Sequence, residues 1–108
     1  MRHVQLHLAK LRIYDRDLPL RYATLQVVSR SGEARMDWEV VATTAEEEPV
    51  ATGVHPLRCE LITGADENGL LSAEVSGDAL FVRRVEQALV FRGESVLTGW
   101  QDSWLPSA

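Results

Sequence analysis

The stretch Leu57-Arg58-Cys59-Glu60-Leu61-Ile62-Thr63, then Gly64-Ala65-Asp66-Glu67-Asn68-Gly69, then Leu71-Ser72-Ala73-Glu74-Val75, decides the fold class. Leu57, Cys59, Leu61 and Thr63 alternate with Arg58, Glu60 and Ile62, the period of two that a strand with one buried face requires. The Gly- and Asx-rich segment turns the chain, and Leu71, Ala73 and Val75 then alternate with Ser72 and Glu74. Two alternating arms about a turn read as a β-hairpin.

The same pattern recurs upstream. Arg21 to Val28 and Arg35 to Thr43 flank Ser29-Arg30-Ser31-Gly32-Glu33-Ala34, a second hairpin signal. Ala23, Leu25 and Val27 share one face of its first arm, and Met36, Trp38, Val40 and Ala42 share one face of the other. At the start of the chain Val4, Leu6 and Leu8 alternate with His3, Gln5 and His7. The phase slips at Ala9-Lys10 before Leu11 and Ile13 resume it, which predicts a β-bulge. Asp15-Arg16-Asp17-Leu18-Pro19 reads as a turn, and Ala45-Glu46-Glu47-Glu48-Pro49 as a solvated loop.

Downstream, Asp78 to Phe91 carries two readings. On a helix Phe81, Val82, Val85, Ala88 and Leu89 fall within roughly 120° of one another with Asp78 as N-cap, whereas the β-branched and aromatic content favours a strand. The expectation is a short helix or an extended run near residues 79–86. A third hairpin is expected after it, its arms Ala88–Arg92 and Ser95–Thr98 joined by a type II′ turn at Gly93-Glu94. Together these segments predict a mainly β chain, an antiparallel barrel or sandwich of about seven strands forming a single β-rich domain over 1–108.

Composition narrows the function. The 108 residues are 45% apolar and 25% charged, as in an ordinary globular protein. A formal charge of −5 has the wrong sign for tracking a phosphate backbone or an anionic membrane, so neither nucleic acid nor membrane is an expected partner. Cys59 is the single cysteine, which excludes an intrachain disulfide and a multi-thiolate zinc site. The N-terminal alternation is unlike a signal peptide, so the expected location is cytoplasmic. Ten Arg against one Lys, with two Ile and one Asn, resemble the codon bias of a GC-rich bacterial genome.

No catalytic or cofactor motif emerges. His3 and His7 on a strand lie ~13 Å apart, too far to share a metal. His55 stands four residues before Cys59, a Cys/His pairing on paper, yet Cys59 keeps the parity of Leu57 and Leu61 and reads as core. Asp15/Asp17 and Asp66/Glu67 are carboxylate pairs with no apolar setting to raise a pKa. The glycines never take a G-x-G-x-x-G or P-loop spacing. Thr63-Gly64-Ala65-Asp66 to Leu70, followed by a strand, resembles a hairpin of the biotin-binding barrels. That likeness covers residues 63–70 alone, and the tryptophan-rich pocket of that family has no counterpart, so no residue is carried over.

Trp38 keeps core parity, whereas Trp100 and Trp104 lie in a polar C-terminal segment, sharing a face on either a strand or a helix. They form either a clasp closing one end of the fold or a platform for a partner. The leading expectation is a non-enzymatic interaction module that self-associates as a homo-oligomer or binds another protein through Trp100 and Trp104, without cofactor or metal. A small-ligand-binding barrel and an enzyme using scattered carboxylates and His55 are the alternatives.

Overall fold

Strand β1 (Arg2–Ile13) organises the architecture because it changes partner half-way along. The computed structural model describes residues 1–106. It contains β2 (Arg16–Asp17), β3 (Leu20–Ser29), β4 (Asp37–Thr44), β5 (Gly53–Asp66), β6 (Gly69–Val85) and β7 (Ala88–Gly93), then a 3₁₀ turn at Asp102–Trp104. All seven strands belong to one antiparallel sheet in the order β2-β1-β3-β4-β7-β6-β5, and β5 returns to pair with β1. The sheet thereby curls into a ring. Arg2 to His7 of β1 pair with β3, and Leu8 to Ile13 pair with β5. The expected bulge sits between Leu8 and Lys10, where the hand-over occurs.

The strands are strongly staggered. Val4 faces Val27, Val27 faces Trp38, and one step past the Glu39/Arg92 pair Trp38 meets Gly93. Gly93 faces Ala79 and Ala79 faces His55, two residues ahead of the Leu57 that pairs with Ile13. A path leaving β1 near its start therefore returns beyond its end, the stagger that closure of few strands demands. Inward side chains fill the ring: Phe91, Leu11, Leu25, Leu61 and Leu89 are fully buried. Each contributes roughly 1.5–3 kcal/mol of transfer free energy.

Two hairpins form where the sequence places them. Gly32 takes φ 81 in the β3–β4 turn, where the Glu33 N–H donates to Arg30 O at 3.2 Å. In the β5–β6 turn Asp66 Oδ1 accepts the Asn68 N–H at 2.8 Å and Gly69 takes φ 124.

Of the two readings of residues 79–86 the structure takes the extended one through Val85, and the broken alternation has a local cause: the register shifts between Phe81 and Arg83, so Val82 is an extra residue. The bulge places apolar side chains at a spacing that imitates a helix. One expectation fails: the third hairpin is absent as drawn. Its turn lies at Glu86-Gln87, between paired Val85 and Ala88, with Glu86 at φ 56. Gly93 has no positive φ, which a type II′ turn needs at its first position; it is glycine because the indole of Trp38 lies against it. A Cβ at Gly93 would overlap the ring, and one at Gly77 would come 2.8 Å from Trp38 Cζ2. Trp38 Nε1 donates to Ser95 O at 2.8 Å, tying down the chain after β7. The charge run departs from expectation in part: Glu48 is a half-buried residue bridging to Arg16 at 3.2 Å. Among the described residues, no helix is long and apolar enough to cross a membrane.

Gly93→Ala is expected to lower the unfolding free energy by ~2 kcal/mol or more through overpacking against Trp38. Glu86→Gly is expected to raise it by up to ~1 kcal/mol by releasing the left-handed strain. Urea unfolding of the two variants beside the parent chain checks both signs.

Candidate functional site

The titratable groups singled out in the sequence do not converge on one centre. Cys59 is 1% exposed, and burial pushes its thiol up to about 12. His55 shares that inward parity but lies ~13 Å away along the strand, so the two form no nucleophile and base pair. Its Nε2 lies 2.6 Å from Ala51 O, and its ring meets Tyr14 edge-on at 5.9 Å. His3 and His7 stay on the exposed face, His7 edge-on to Tyr22 at 5.6 Å. Asp17 pairs with Arg12 at 3.0 Å, and that hydrogen bond holds its carboxyl below the usual range, while Asp66 builds its own turn. Among the described residues, no three His, Cys, Asp or Glu side chains are grouped to hold a metal.

Trp100 and Trp104 do come together. Their rings are T-shaped at 5.0 Å, both half-buried and packed against the core. The tail reaches this position along β6: Ser76 and Thr98 exchange backbone hydrogen bonds of 2.9 and 2.7 Å. Gly99 follows at φ 90, and a Cβ there would come 2.5 Å from Glu74 O, so only glycine allows the tail to cross so closely. Beyond it the backbone bonds are internal, from Trp100 to Leu97, Trp104 to Gln101 and Leu105 to Asp102. Leu97 and Leu105 are buried, whereas Val96 is 73% exposed.

The sequence missed a second feature, which follows from the hand-over in β1. Past Leu61 no residue of β5 pairs with β1, and before Leu8 no residue of β1 pairs with β5, among the described residues. The ring is zipped over half its height. Ile62 to Asp66 and Gly69 to Ser72 pair only with each other and form a two-stranded ribbon, while Arg2 to His7 present one free edge. The ribbon carries Leu70 at 70% and Leu71 at 46% exposure, with Asp66 and Glu67 at its tip. The free β1 edge bears one cation, Arg2, beside the exposed imidazoles of His3 and His7. Leu71 was readable as inward-facing by parity, but no strand crosses the ribbon there to cover it. The adjacent pair Leu70-Leu71 after a turn was the available signal.

No known protein family, curated protein or solved structure matches this chain. Its function is therefore read from these groups alone. A further set of exposed apolar side chains, Val54, Val82 and Val85, lies toward the opposite end of β5 and β6, away from the open edges.

The buried thiol gives a measurable linkage. Its pKa is raised from 9.0 to about 12, so the unfolded chain ionises first and stability falls as pH rises between those values. The expected slope is up to ~1.4 kcal/mol per pH unit. Cys59→Ala should be less stable at neutral pH and lack this component, and denaturant unfolding of both proteins at stepped alkaline pH measures the difference.

Proposed function

We propose that the protein is a self-associating β module whose partner is a second copy of the same chain. The ribbon of one copy lies along the Arg2–His7 edge of the other, reciprocally about a two-fold axis. One observation carries this reading: the ring closes over only half of β1, leaving an unpaired strand edge and an uncovered apolar ribbon. Edge pairing satisfies the free backbone groups, and covering Leu70 and Leu71 supplies apolar burial. The acidic ribbon tip and Arg2 on the β1 edge favour ribbon against edge over ribbon against ribbon, and a two-fold axis closes two such contacts into a dimer. The interior is occupied by Phe91, Leu11, Leu25, Leu61 and Leu89, which disfavours a ligand held at the centre of the ring. Trp100 and Trp104, engaged with each other and with the core, act in this reading as the clasp that holds the tail.

Sedimentation equilibrium is expected to show a reversible dimer that weakens as salt rises. Replacing both Leu70 and Leu71 by Ser is expected to weaken it by more than ~10-fold, since losing a buried anchor costs ~2 kcal/mol. Trp104→Ala should lower the melting temperature and leave the dissociation constant of the folded protein unchanged. A parent chain that stays monomeric at high concentration, or a dimer lost with Trp104 and kept without the two leucines, overturns the assignment.

A further inference from the structure

The far end of the ring from the ribbon gathers polar side chains over an otherwise apolar core. The segment 45–52 crosses this end and is tied down from several sides. Thr44 Oγ1 donates to Glu46 O at 2.5 Å, Arg84 donates to Glu48 O, and Arg16 pairs with the Glu48 carboxylate at 3.2 Å. A cavity of about 470 Å³ opens beside it, walled by Ile13, Pro49 and Val50 and carrying Tyr14, Asp15 and His55. That volume is within the range of small-molecule sites.

Three groups in its wall share one chemical demand. His55 is buried, and because a carbonyl oxygen can only accept, its Nε2 carries the proton donated to Ala51 O. In the neutral imidazole Nδ1 is then an acceptor, and it is buried with no partner among the described residues, an unmet polar group. Asp15 is exposed and in none of the ion pairs of the described residues, whereas Arg16, which lines the same cavity, is paired with the Glu48 carboxylate. Tyr14 is held at φ 54, in the left-handed region that a bulky residue rarely enters. Its ring lines the cavity and meets the His55 ring edge-on at 5.9 Å.

An acceptor nitrogen, an unpaired carboxylate and a phenol ring among aliphatic walls call for a ligand that donates hydrogen bonds, carries positive charge and has an apolar body. The geometry points to a binding site for a small aryl or alkyl amine, its ammonium on Asp15 and Tyr14 and its apolar part between Ile13 and Val50. His55 Nδ1 is closed to solvent, so a donor on the ligand reaches it only where Tyr14 or the 45–52 segment gives way, and it strengthens a contact made first at Asp15 and Tyr14.

The probe is benzylamine, with benzyl alcohol and benzoate as the neutral and anionic comparators of similar size. Two-dimensional ¹H–¹⁵N spectra of the full chain are expected to show saturable shifts confined to amides of residues 13–16 and 49–55 below ~20 mM benzylamine. Benzyl alcohol should bind more weakly and benzoate least. Asp15→Asn, an exposed substitution that leaves the core intact, should weaken benzylamine about tenfold and leave benzyl alcohol unchanged. His55→Phe keeps an aromatic ring, removes the acceptor, and should reduce the affinity of both donors without affecting benzoate. Absent or scattered shifts, benzoate binding as tightly as benzylamine, or an Asp15→Asn protein with unchanged benzylamine affinity overturns the site.

Discussion

The extra residue at Ala9 in β1 is the constraint on which the rest of the structure depends. A bulge adds local twist and swings the strand, and here it swings β1 away from β3 and into register with β5. Without that swing the sheet would remain open along β1 and β5, and the row of Leu57, Cys59 and Leu61 would lack the facing Leu11 and Ile13. With it, one strand serves as both the first and the last stave of the ring. Closure by a single bent strand is only partial, because each residue of β1 that pairs with β5 belongs to the half that has left β3. The core and the open edge thus have a common origin.

The same geometry separates the chemistry of the two ends. Near the start of β1 the ring is finished by Trp38, set against Gly77 and Gly93, and by the tail with Trp100 and Trp104. These are large aromatic groups, and they close space by area. At the other end the Val82 bulge alters the parity of β6 and brings Arg84 level with the fully buried Leu89. Arg84, Thr44 and His55 there meet backbone carbonyls of the 45–52 segment. An irregular segment across a ring end has carbonyls that no strand can satisfy, and side-chain donors from below provide what the ladder does not.

Much of this was legible because alternation reports which face a residue occupies. The burial of Cys59 and Trp38, the slip at Ala9 and the turns at Gly32 and Asn68-Gly69 all follow from parity and turn chemistry. Parity says nothing about which strand is the neighbour, so the division of β1 between β3 and β5 was not readable, nor was the exposure of Leu71. A glycine carries two messages that a sequence cannot separate: freedom at positive φ and absence of a Cβ. Gly93 was read as the first when it is the second, and the turn it was credited with belongs to Glu86, a residue whose type gives no such signal. At Val82 one inserted residue in a strand produced the spacing of a helix, an ambiguity that short apolar runs carry by nature.

The open edge persists for a reason that closure itself imposes. Pairing Arg2–His7 with the ribbon inside one chain would require β5 to bend with β1, but β5 carries its own register shift between Ile62 and Gly64. That bulge increases the twist of the ribbon where β1 would have to follow it, so the two strands part instead of zipping on. It also makes the β5 side of the ribbon a poor template for a foreign strand, since a bulge breaks the regular row of donors and acceptors. The edge of β1 between Arg2 and His7 has no such interruption. The free row of donors and acceptors is therefore regular along β1 and interrupted along β5, and the contrast comes from where each strand carries its extra residue: at the hand-over in β1, and beyond it, inside the ribbon, in β5.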